Sequence, residues 1–116
     1  MDSAGITYFD RAAVDRALDA YVRRITVLHP EIAEVVLFGS LASGTPVPGS
    51  DVDLLLVLSD ADLPFLARIP QFLPSGFPVG VDVFPYTCDE VERMKRDRSG
   101  LILSALRQGR TLFKRR

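Results

Sequence analysis

The chain has one cysteine (Cys88), one histidine (His29) and no tryptophan. A single cysteine forms no internal disulfide, so the fold must rest on packing, and a reducing compartment is expected. One Cys and one His do not make a zinc site of the usual kind within one chain. A Cys88–His29 nucleophile pair exists on paper, but Cys88 falls at the polar start of a predicted helix and no oxyanion motif accompanies it. No apolar run approaches the roughly 20 residues of a membrane span. The opening "MDSAGITYFD" has neither the basic segment nor the apolar block of a signal peptide. Both absences point to a soluble, cytoplasmic protein. Neither sign of charge dominates: 14 basic residues face 15 acidic ones, for a net charge of -1. That balance argues against a protein that coats nucleic acid.

What is present is core material. Hydrophobic residues make up 47% of 116 residues, enough for a single domain over 1–116. Val14, Leu18, Tyr21, Ile25 and Leu28 recur at spacings of four and three, which predicts an amphipathic helix over Thr7–Leu28. His29-Pro30 ends it, and His29 reads as a capping or surface residue. Ile32–Phe38 is an apolar, β-branched run, a buried strand. "TPVPGS" is a loop by composition, and Leu41–Gly44 has room for one helical turn. Asp51–Leu58 is a second strand. A helix from Ser59 or Asp60 through Phe72 is interrupted by Pro64 and Pro70. Val79–Phe84 is a third strand. Cys88–Asp97 is a charged helix, with Thr87 and Glu90 at capping-box spacing. Ser99–Gln108 is a more apolar helix closed by Gly109, and "TLF" adds a short final strand. This order predicts an α+β fold, a small mixed sheet of three to four strands with helices packed against it.

Acids inside the strands are the anomaly. Asp51 and Asp53 are two apart, so they share one side of a strand, their α-carbons roughly 6.5–7 Å apart. Packing gives no reason to place two carboxylates there. A cation does: Mg²⁺ prefers hard oxygen ligands and is commonly held by one or two carboxylates plus water and phosphate. Asp82 is a third acid, between Val81 and Val83, where an unpaired charge is costly. If its strand lies beside the second one, Asp82 completes a three-carboxylate cluster able to hold two metals for in-line attack on phosphorus. Gly39 and Ser40, at the end of the first strand, supply a backbone that a phosphate can approach and N–H and hydroxyl donors to bind it.

"GS", ten residues, then "DVD", followed by "VGVDVF" and "GRTLF", resembles the minimal nucleotidyltransferases of the DNA polymerase beta-like superfamily. The resemblance covers about Ala33 to Phe113. It implies a polymerase beta palm-like fold, with Asp51 and Asp53 binding both Mg²⁺ ions. Asp82 would complete the first metal site and help deprotonate an acceptor hydroxyl. Gly39 and Ser40 would hold the β- and γ-phosphates of a nucleoside triphosphate, ATP by expectation. The family pattern "GSxARG" departs here, with Ser43 in place of the arginine. Loss of that guanidinium weakens contact with the triphosphate.

The resemblance also implies an antitoxin that adenylylates a tyrosine of a HEPN-domain toxin partner. Transfer to a small molecule such as an aminoglycoside is the alternative, although such relatives usually carry a further helical domain. A non-catalytic binding module that neutralises its partner by contact is the third, supported only by the missing arginine. Plainer readings stand beside these: Asp51 as a turn residue, Asp82 as an ion-pair partner of Arg68, and Arg107, Arg110, Lys114, Arg115 and Arg116 as a solvated terminus.

Overall fold

The computed structural model describes residues 10–39 and 52–116. Its elements run α1 (Arg11–Leu28), β1 (Ile32–Phe38), β2 (Val52–Leu58), α2 (Phe65–Phe72), β3 (Val81–Thr87), α3 (Cys88–Arg96), α4 (Gly100–Gln108) and β4 (Arg110–Lys114). The strands form one mixed sheet in the order β3-β2-β1-β4. β1 lies antiparallel to both β2 and β4, whereas β2 and β3 are parallel. The parallel pair requires a crossover, and α2 lies within it.

Both faces of this sheet are covered, which is why its central strands read as near-continuous apolar runs. On one face Val52, Leu54, Leu56 and Leu58 of β2 and Ile32, Val35 and Leu37 of β1 meet Val14, Leu18, Tyr21 and Ile25 of α1 and Phe72 of α2. On the other, Val36, Phe38 and Leu55 meet Val91 of α3 and Ile102 and Ala105 of α4. The alternation has the ordinary period of two, except that Ile32 and Val35 share a face across a register shift between Ile32 and Glu34.

Local signals fix the helix ends. The Asp10 side chain accepts from the Ala13 N–H and caps α1. Thr87 and Glu90 form the expected capping box at α3. The predicted helix from Ser59 or Asp60 is shorter than expected: it begins at Phe65, with Pro64 as its N-cap. Proline suits the helix start because its missing N–H would have no intrahelical partner there, so Pro64 starts the helix rather than interrupting it, and Pro70 lies within α2 without ending it. The third strand begins two residues later than predicted and extends to Thr87, through Pro85. A proline is tolerated because β3 is an edge strand.

Arg115, although exposed as a residue of the terminus, is also anchored. Its Nη2 donates to the Thr26 carbonyl at 2.8 Å and its Nε to the Ile32 carbonyl at 3.0 Å. It thereby ties the chain after β4 to the end of α1 and the start of β1. His29 has its Nδ1 3.0 Å from Glu31 Oε2 and its ring against Phe72, while Cys88 is exposed at the start of α3. The two do not form a nucleophile pair.

Tyr21 fastens α1 to α2 through a buried hydrogen bond, its hydroxyl donating to the Phe72 carbonyl at 2.6 Å. Burial raises its pKa above the ordinary 10.0, against a smaller lowering by Arg24. The folded chain therefore keeps this proton at pH values where the unfolded chain loses it. The contribution is complete below pH 10.0 and declines as pH rises above it. Tyr21→Phe is expected to cost about 1–3 kcal/mol at neutral pH, because the Phe72 carbonyl loses its donor. It should also flatten the alkaline loss of stability. Urea unfolding at neutral and alkaline pH measures both.

Candidate active site

The site grows from the C-terminal end of β1. Phe38 is the register partner of Asp53 in β2, and Asp53 is the register partner of Asp82 in β3. Phe38, Asp53 and Asp82 thus form one row across three strands. They share the sheet face of Phe84 and Leu55, the face covered by α3 and α4. Phe38 and Phe84 meet as a tilted aromatic pair, centroids 5.6 Å apart. The two acids stand on adjacent strands, whose backbones lie about 4.8 Å apart. Asp53 is half-buried and Asp82 is exposed. The condition on which the cluster depended, that the third strand lies beside the second, is met.

Two carboxylates side by side repel unless a cation or a proton lies between them. Their donor set, hard anionic oxygen, fits a divalent ion of the Mg²⁺ type. Among the described residues no group of three potential metal ligands is found. Asp51 and Ser40 lie outside the described residues, as do Ser43 and the Leu41–Gly44 segment.

Gly39 follows Phe38 directly and has φ 85°, a left-handed conformation that favours glycine. A Cβ built there would overlap Asp53 Oδ2, and would lie 3.3 Å from Asp53 Cγ and 3.5 Å from its Cβ. Backbone strain and crowding by the acid therefore both demand glycine.

Arg68 does not pair with Asp82. Its Nη1 and Nη2 grip the Glu90 carboxylate at 2.7 and 3.1 Å, Nη1 also donates to the Pro85 carbonyl at 3.0 Å, and Nε donates to the Leu63 carbonyl at 2.7 Å. The Arg68 hydrogen bond holds Glu90 below its ordinary pKa, with the Thr87 N–H assisting and burial opposing. Burial, and then Glu90, raises the pKa of Tyr86, whose ring stacks on Phe65 at 4.4 Å. Sequence reading missed this node. Its signal was a lone arginine in the apolar stretch "FLARIPQF".

The mixed sheet thus sets two acids in register beside a positive-φ glycine. The profile of the nucleotidyltransferase domain family matches residues 18–109, and the chain belongs to that family. No curated protein matches the sequence significantly. Among solved structures, a nucleotidyltransferase assigned as such from Sulfolobus solfataricus is 20% identical, with TM-score 0.60, covering 96% of this chain and 94% of its own. A toxin–antitoxin complex crystallised with AMP-PNP is 24% identical, also with TM-score 0.60, covering 84% of this chain and 74% of its own. An MntA–HpeT toxin–antitoxin pair with two aspartates changed to glutamate is 22% identical, with TM-score 0.59 over the same shares of the two chains. These likenesses establish the nucleotidyltransferase fold. Among the described residues, no helix is long and apolar enough to cross a membrane.

Proposed function

We propose that the protein is a Mg²⁺-dependent nucleotidyltransferase that moves AMP from ATP to a tyrosine hydroxyl of a HEPN-domain toxin partner, and so acts as an antitoxin. The observation that carries this reading is the register match of Asp53 with Asp82. Toxin–antitoxin complexes among the structural neighbours, one with AMP-PNP, support the choice of partner and nucleotide.

In this reading Asp51, Asp53 and Asp82 would hold two Mg²⁺ ions, whose chemistry when bound would be to neutralise phosphate charge and to acidify the acceptor hydroxyl. The backbone N–H groups of Gly39 and Ser40, with the Ser40 hydroxyl, orient the β- and γ-phosphates. Asp82, the more exposed acid, faces the acceptor and takes its proton. The acceptor oxygen then bonds to the α-phosphorus, the bond to the bridging oxygen breaks, and pyrophosphate leaves.

Titration of ATP, GTP, CTP and UTP into the pure protein, with and without Mg²⁺, tests the nucleotide half. Mg²⁺-dependent binding, tightest for ATP, is the expected outcome. Incubation with labelled ATP and a HEPN-domain protein tests the acceptor, with one AMP mass expected on a tyrosine. Pyrophosphate release with an aminoglycoside alone would favour the small-molecule reading instead. Neutralisation of the toxin without nucleotide would favour the binding module.

A further inference from the structure

We infer that Gly39 is a positioning residue for the Asp53 carboxylate: the volume left by its missing side chain is occupied by the acid, and this sets where Asp53 offers its oxygens to a cation. The inference rests on the metal-dependent reading above. It changes the role of the glycine. Sequence reasoning left the space beside Gly39 for a phosphate. In the structure, the three nearest atoms that a Cβ would meet there belong to Asp53: Oδ2 in overlap, Cγ at 3.3 Å and Cβ at 3.5 Å.

The geometry follows from the sheet. Asp53 faces Phe38 across β1 and β2, so the residue after Phe38 passes close to the acid. At φ 85° Gly39 turns the chain directly at the strand end, and its bare α-carbon lies against the carboxylate. The Gly39 amide remains able to donate to a phosphate. The absence of a side chain serves the acid.

A methyl group at this position must displace something. The nearest atom is the far end of a rotatable side chain, so the carboxylate yields before the sheet does. Gly39→Ala should therefore act on the cation site. It also forces alanine into left-handed backbone, a separate cost to folding. Gly39→Asn separates the two effects, because asparagine tolerates positive φ yet carries the same Cβ.

The test measures Mn²⁺ binding without nucleotide, by the electron paramagnetic resonance of free Mn²⁺. Both variants are compared with the wild type after thermal unfolding has established that they fold. The expected result is a Mn²⁺ affinity roughly 10- to 100-fold weaker in both, the scale seen when the support of a metal ligand is removed. If Gly39→Ala does not fold, Gly39→Asn carries the measurement. Wild-type Mn²⁺ affinity in a folded variant overturns the positioning role. A wild-type chain that binds no Mn²⁺ overturns the metal-dependent reading itself, and this inference with it.

Discussion

Asp53→Asn is expected to abolish nucleotidyl transfer while the protein remains folded. The loss in rate should be at least roughly 10²–10³-fold, the scale at which a single preorganised electrostatic group contributes to catalysis. The physical reason lies in the row across the sheet. Asp53 is the central member, between Phe38 and Asp82, and asparagine keeps its shape but removes its charge. A cation shared between Asp53 and Asp82 then loses half of the anionic field that these two residues supply. Relief of repulsion from Asp82 opposes any lost contact, so the thermal midpoint without Mg²⁺ should stay within about 4 °C of the wild type or rise, a shift of about 1 kcal/mol. Transfer is read from labelled ATP and stability from thermal unfolding of the same preparation. Loss of transfer together with a collapse of stability would make the acid a structural element.

The largest effect on stability is expected at Arg68. The side chain is 7% exposed and its Glu90 partner 28%, and four hydrogen bonds join it to Leu63 before α2, Pro85 in β3 and Glu90 in α3. Arg68→Ala leaves the Glu90 carboxylate without its cation and the Pro85 and Leu63 carbonyls without this donor. Breaking one side of such a pair costs about 3–5 kcal/mol. Arg68→Met with Glu90→Gln should recover much of that loss, because both charges then leave together and volume is kept. Glutamine also retains an oxygen for the Thr87 N–H of the capping box.

The same pair sets an acid limit. Arg68 holds Glu90 below its ordinary value of 4.5, so the unfolded chain binds this proton at a higher pH than the folded one. Its contribution is present above pH 4.5 and is lost as pH falls through the lowered folded value. Glu90→Gln alone should lower stability at neutral pH and flatten its decline in acid. Denaturant unfolding across that range checks the sign.

Much of the framework was legible in the sequence because its signals were local. Ile32–Phe38 and the Thr87–Glu90 capping box needed only propensity and spacing, and both stand where expected. The "GS…DVD…VDV" pattern was legible because a charge inside an apolar strand conflicts with packing and demands a reason. The partnership of Asp53 with Asp82 was legible only as a condition, since strand adjacency depends on the crossover and not on either strand. Pairings between distant elements were hidden for the same reason. Arg68 could be read as a partner for Asp82 because sequence gives its charge, but not the carboxylate that it reaches from α2. Arg115 looked like a solvated tail until the sheet brought it to Thr26. Gly39 was read toward a ligand because nothing in a linear sequence shows that a carboxylate occupies the space beside it.

The strand order β3-β2-β1-β4 also sets a schedule. β1 and β2 are near neighbours in sequence, and their hairpin brings Gly39 and Asp53 together early in synthesis. Asp82 arrives only with the crossover. The outer edge of β1 must wait for β4, which follows every other described element, and until then it offers unpaired N–H and C=O groups to any passing strand. A nascent chain of this protein is thus most prone to wrong pairing when the residues of its site have already emerged. Its release from that hazard depends on Arg110–Lys114 and on the arginine clasp that follows them.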